Sequence, residues 1–184
     1  MSAGASSVLR SSPLKGAALC LLVQHRGYGY DLANQLERRL GPGWNIDRRS
    51  LYRMLSSLER HELVSSDRSE GSSGERIMYD PTPAAEPVVA EWMGSIGSKL
   101  ILIELQAKLV VARREDLPRL LVAVDACERR CFAMQREIEV DLPPQQSLVG
   151  TLMYMAREKE LLGSKASLVW LDNVRGGILD LIGS

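Results

Sequence analysis

The chain has 184 residues, 45% of them apolar and 5% aromatic, so it is long enough to bury a substantial core in one domain or two. Its formal net charge is zero, and eleven Lys and Arg against nine Asp and Glu through Asp80 is too even a balance to argue for a polyanionic partner from global charge. Cys20, Cys127 and Cys131 lie in apolar periodic segments, which excludes a secreted disulfide scaffold and points to a reducing cytoplasm.

Leu and Ala are plentiful and no long β-branched alternation appears, so the fold is expected to be mainly α. Residues 1–12, rich in Ser, Ala and Gly, read as a disordered arm ending at Pro13. Leu14, Ala17, Ala18, Leu21 and Leu22 then recur with the spacing of an amphipathic helix that stops near Gly27. That apolar stretch runs into Gln24-His25-Arg26 without a small-residue cleavage site, so it is not read as a signal peptide, and no run reaches the roughly 18–20 residues that span a bilayer. A second helix covers Gly29 to Leu40, burying Leu32, Leu36 and Leu40, and Gly41-Pro42-Gly43 ends it.

Asp47 is placed to cap a third helix running to about Arg60. At about 100° per residue, Leu51, Met54, Leu55 and Leu58 fall on one face, and Arg49, Arg53, Ser56 and Arg60 form a stripe on the other. Leu63-Val64, a polar stretch from Ser69 to Gly74, then alternating Ile77 and Tyr79 before Pro81 predict a β-hairpin with a long tip. Three helices and a hairpin make a winged helix-turn-helix over residues 13–83.

Residues 84–184 return to helix, with segments around Glu86–Met93 and Leu100–Val111. Leu117, Leu120, Val124, Cys127, Cys131, Met134 and Ile138 alternate spacings of three and four, a coiled-coil seam that asks for a partner and is expected to build a homodimer. After Pro143-Pro144 a further helix carries Leu148, Leu152, Met155, Leu162, Ala166 and Val169 at the same spacing, suiting an antiparallel helical dimerisation domain.

Arginine's fork matches the two acceptors on the major-groove edge of guanine, so Arg49, Arg53, Ser56 and Arg60 are the candidate base-reading residues. Arg48, Ser50 and Tyr52 at the helix entrance, with Ser72, Ser73 and Arg76 on the wing, suit phosphates, which set register without reading sequence. A merely solvated charged face has the same pattern. Trp44, Trp92, Phe132, Met134, Tyr154 and Trp170 are candidates for an apolar effector pocket, with ordinary core packing as the alternative. Only His25 and His61 are available to complete a metal site, and no G-x-S-x-G, P-loop, G-x-G-x-x-G or H-E-x-x-H pattern is present. No catalytic, metal or cofactor role is expected.

The stretches Gly27-Tyr28-Gly29-Tyr30-Asp31-Leu32, Ser50-Leu51-Tyr52-Arg53-Met54-Leu55-Ser56-Ser57-Leu58-Glu59 and Tyr79-Asp80-Pro81-Thr82-Pro83, with Trp92 beyond, resemble the PadR family of bacterial transcriptional regulators. The resemblance implies a homodimer, cytoplasmic and nucleoid-associated, that binds a pseudo-palindromic operator on double-stranded DNA. It further implies repression, relieved by a small aromatic or hydrophobic effector, and the longer subgroup with a C-terminal helical dimerisation domain. Glu62 and Ala85 stand where that family usually has glycine, so the third helix is expected to end differently, and Pro81 to shorten the second wing strand. The competing reading is a winged-helix module that docks proteins without reading DNA, which would more often present apolar anchors than an arginine stripe.

Overall fold

A computed structural model describes residues 8, 9, 12–44, 46–71, 74–97 and 100–184, with the side chains of 69–71 and 74–76 left aside. It is mainly helical, with one small antiparallel sheet and two compact units, Met1–Leu120 and Leu121–Ser184. The first unit runs past the boundary expected at residue 83, because the two helices that follow the wing pack onto the first helix.

Helix α1, Pro13–Gln24, starts where Ser12 accepts a hydrogen bond from the Lys15 amide, with proline at the first turn, whose missing N–H costs nothing there. Every residue from Gly16 to Leu22 is buried, so α1 is the central helix of the unit and not the one-sided helix its spacing suggested. Val8 and Leu9, expected in a free arm, are helical and buried.

Strand β1, Gly27–Tyr28, pairs antiparallel with the second wing strand and leads directly into α2, Gly29–Leu40. Helix α2 buries Leu32, Ala33 and Leu36, leaves Leu40 half-buried, and ends at Gly41, whose φ of 79° only glycine adopts without strain. A short 3-10 turn, Pro42–Trp44, leads towards α3, Arg48–Arg60.

The end of α3 departs from expectation. Glu62 adopts a φ of 56°, the left-handed conformation that glycine would hold at this point. The Leu63 amide donates to Leu58 O at 3.0 Å and the Glu62 amide to Glu59 O at 2.9 Å, the paired bonds of a Schellman cap, while Leu58 and Leu63 are both buried beside it. The chain therefore keeps the turn and accepts the steric cost of a side chain there, about 1 kcal/mol.

The wing consists of β2, Val64–Gly71, and β3, Gly74–Pro81, in strand order β1-β3-β2. Pairing continues from Val64↔Pro81 to Gly71↔Gly74, so the strands reach well into the segment expected to be a long tip. Pro81 is the last residue of β3 and does not shorten it; its missing N–H falls at the end of the ladder, and the Thr82 amide donates to Leu63 O instead.

Helices α4, Ala85–Gly94, and α5, Ile101–Val111, complete the first unit. Between them lies a buried ionic group: Lys108 Nζ meets Glu104 Oε1 at 2.7 Å and also donates to Ser95 O, while Glu104 accepts from the Gly97 amide. Cys20 Sγ and Gln24 Nε2 both donate to Val111 O, tying α1 to the end of α5.

Helix α6, Leu117–Val140, starts in the first unit and continues into the second, where it runs antiparallel to α7, Leu148–Gly183, since the ties Asp141–Arg157, Cys131–Ser164 and Asp125–Arg175 take opposite order along the two helices. Ser147 caps α7 by accepting from the Gly150 amide at 3.0 Å. Val124, Cys127, Cys131 and Ile138 of the expected dimer seam are buried within the single chain, with Leu161, Ser164, Leu171 and Ile178 buried on α7. Leu117 and Leu120 are buried in the first unit, and Met134 alone of the seam is exposed. The seam as written is thus consumed inside the protomer, because a heptad pattern specifies an apolar stripe and not the origin of its partner. What α6 and α7 leave outward is another set, including Phe132, Leu148, Leu152, Met155, Leu162 and Val169.

Candidate nucleic-acid interface

Helix α3 is set by its first turn. The Asp47 carboxylate accepts from the amides of Arg49 and Ser50 and from Ser50 Oγ at 2.7 Å, satisfying orphan donors at the helix start. Those donors, the Ser50 hydroxyl foremost, hold its pKa below the ordinary carboxylate value. Leu51, Leu55 and Leu58 are wholly buried, which fixes the rotation of α3, whereas Met54 is half-buried at the edge of that face. Arg49, Arg53, Ser56 and Arg60 are all exposed on the other side. Arg53 Nη2 donates to Ser50 Oγ at 2.8 Å and Arg60 Nε to Ser56 O at 3.4 Å. Among the described residues no carboxylate lies within ion-pair distance of Arg48, Arg49, Arg53 or Arg60, although Asp47 reaches Arg53 through the Ser50 hydroxyl, so the face is net positive.

The entrance residues are held by α2. Arg48 stacks over the ring of Tyr30 at 4.6 Å, a cation-π contact that steers its guanidinium. Tyr52 packs so closely on Gly29 that a Cβ there would lie 2.7 Å from the ring. That approach explains glycine at the first position of α2. At the far end Ser66 Oγ donates to Glu59 Oε1 at 2.5 Å, fastening β2 to α3. Ser72 and Ser73 lie outside the described residues, as does the side chain of Arg76, whose backbone pairs with Ser69.

The residues proposed from sequence for an effector pocket separate. Trp44 and Trp92 belong to the first unit; Phe132, Met134, Tyr154 and Trp170 belong to the second. Trp92 is a core residue, 2% exposed, and Phe132 and Met134 are exposed. Trp44, Tyr154 and Trp170 are half-buried. Cys127 and Cys131 are buried thiols, as a packing role requires, and no group of three or more potential metal ligands is found among the described residues.

Three residues near the interface were not among the candidate site residues read from sequence: Lys15, Tyr30 and Ser57. Lys15 Nζ donates to Ser57 Oγ at 3.2 Å across the α1–α3 contact, and nothing in a helical wheel of either helix alone brings the two together. Tyr30 sits inside the Gly-Tyr-Asp-Leu segment, where its exposure was the missing signal.

No helix among the described residues is long and apolar enough to cross a membrane. Residues 18–90 match the model of the transcriptional regulator PadR-like family. Comparison with curated proteins gives no match. Among solved structures, Bacillus subtilis PadR in complex with operator DNA is similar at 19% identity and a TM-score of 0.41, over 91% of this chain and 99% of that one. The same protein in complex with p-coumaric acid is similar at 18% identity and a TM-score of 0.37, over 91% and 99% of the respective chains. That match spans the winged helix with its exposed arginine face, which is thus similar to the PadR-like family of transcriptional regulators.

Proposed function

We propose that this protein reads a specific operator as a homodimer and acts as a repressor. The observation that carries the reading is α3 itself, whose apolar face is locked into the core while three arginines and a serine stand outward, with no carboxylate within ion-pair distance of the arginines among the described residues. Arg49, Arg53, Ser56 and Arg60 face base edges in the major groove, where a bidentate arginine discriminates guanine. Arg48, Ser50 and Tyr52 meet phosphates at the helix entrance, and the wing residues Ser72, Ser73 and Arg76 take the same role beside it.

Homodimerisation rests on the apolar side chains that α6 and α7 leave outward, a set too large and too contiguous along α7 for an isolated helix pair in water. Two copies of α3 related by a two-fold axis would enter successive major-groove faces about 10 bp apart, which makes the operator a pseudo-palindrome. Occupancy of that site occludes a promoter, in the cytoplasm at the nucleoid, and a small aromatic or hydrophobic effector releases it.

The test is fluorescence anisotropy with duplex DNA from the region upstream of the protein's own coding sequence, against a scrambled duplex, at several salt concentrations, with the mass in solution measured in parallel. Sequence-preferring binding by a dimer is expected. Weak binding indifferent to sequence at low salt would reject the reading. Small aromatic compounds added to the same signal test release.

A further inference from the structure

Between the start of α1 and the middle of α3 lies an open cavity of about 290 Å³, lined by Lys15, Ser50, Arg53, Met54 and Ser57. Two cations and two hydroxyls border it and, among the described residues, no carboxylate does. Its walls are fastened together, since Lys15 Nζ donates to Ser57 Oγ at 3.2 Å and Ser12 Oγ lies 4.0 Å from Met54 Sδ. Lys15 has no carboxylate within ion-pair distance among the described residues, although it is half-buried and an isolated ammonium is costly to desolvate. Burial first, and the charge of Arg60 second, draw its pKa below the ordinary lysine value. An anion in the cavity would relieve both.

The two hydroxyls are not equivalent. Ser50 Oγ already donates to Asp47 and accepts from Arg53. Ser57 Oγ accepts from Lys15 and keeps its own proton to donate. Arg53 spends one N–H on Ser50 and is already assigned to the base edges, so the donors left to this cavity's α1 side are the remaining protons of Lys15 and the hydroxyl proton of Ser57, a pair suited to one tetrahedral oxyanion through charge-assisted bonds.

We propose that this cavity seats one phosphodiester of the DNA backbone, with Lys15 Nζ and Ser57 Oγ as its donors, so that α1 grips the duplex beside the arginine face of α3. The assignment rests on the DNA-reading function proposed above and adds α1 to the interface. A phosphate contact sets orientation and carries no sequence information, so its loss weakens cognate and scrambled duplexes alike.

The experiment compares wild type, Lys15→Gln and Ser57→Ala by anisotropy on the upstream and scrambled duplexes, after thermal melts confirm folding. Lys15→Gln is expected to lower affinity about 3- to 10-fold on both duplexes and to reduce the slope of log K against log salt by about one. Duplexes carrying a single neutral methylphosphonate at successive positions then locate the contact. One position is expected at which the modification weakens wild type and leaves Lys15→Gln unchanged, as a double-mutant cycle requires. If wild type binds DNA but a folded Lys15→Gln or Ser57→Ala shows neither effect, the seat is overturned and the arginine face stands. If wild type binds neither duplex, both fall. Calorimetric binding of inorganic phosphate that Lys15→Gln abolishes, with the salt slope on DNA unchanged, would give the cavity to a free phosphate and overturn the assignment.

Discussion

Trp92 fills the space that any side chain on Gly16 would need: a Cβ built there meets the indole within 2.8 Å at Cδ2 and closer still at Cε2 and Cζ2. The contact joins the first turns of α1 to α4, and Lys108 Nζ lies 5.0 Å from the centroid of the same ring. Gly16→Ala is therefore expected to destabilise the first unit by about 1–3 kcal/mol, since neither the backbone nor a fully buried indole moves freely. Urea unfolding measures it; a variant as stable as wild type would mean that α1 and α4 separate at no cost.

The left-handed Glu62 gives the opposite sign. Its φ of 56° strains a residue with a Cβ, while the Schellman bonds around it are made by backbone alone. Glu62→Gly is expected to raise stability by about 1 kcal/mol, the steric gain exceeding the added freedom of the unfolded chain. An increased unfolding midpoint at an unchanged denaturant slope would support this, and a decrease would refute it.

On α3, Arg49→Ala is expected to weaken operator binding by about 1–3 kcal/mol and to relax discrimination at one base pair. Binding to a panel of single-base operator variants measures the second effect. Equal weakening across the panel would make Arg49 a phosphate contact.

Two seam residues now separate into different experiments. Val124 is fully buried, so Val124→Asp places an unpaired carboxylate in the helix pair and should cost about 3 kcal/mol or more. Met134 is 46% exposed, so Met134→Glu should leave the protomer's own stability within about 0.5 kcal/mol and act, if it acts, on association. Unfolding curves and sedimentation read the two effects independently, and a Met134→Glu variant that unfolds as easily as Val124→Asp would contradict the placement.

Periodicity located α2, α3, α6 and α7 because each has an apolar stripe that one helical wheel displays. It located α1 as well but not its burial, since Ala17, Ala18, Leu19 and Cys20 are buried in succession and the apparent stripe is only part of a buried cylinder. Strand β1 is two residues long, shorter than any alternation can register, and exists because Gly27 and Tyr28 find partners some fifty positions away on β3. The buried pair Glu104 and Lys108 reads in sequence as an ordinary i, i+4 surface pair, and its burial comes from the helix packed across it. Likewise the stripe of Arg49, Arg53, Ser56 and Arg60 was visible in one helix, whereas the cavity beside it joins residues more than forty positions apart and belongs to the tertiary fold.

The three cysteines have a use at the bench. All are buried; desolvation pushes the Cys20 thiol up to about 12 and raises that of Cys131, so the thiolate that attacks alkylating reagents is scarce in the folded chain. The native protein thus offers a quiet background for maleimide chemistry. A cysteine placed at an exposed position such as Lys165 would take a single dye without removal of the native thiols, and subunit exchange could then be followed by energy transfer between separately labelled samples.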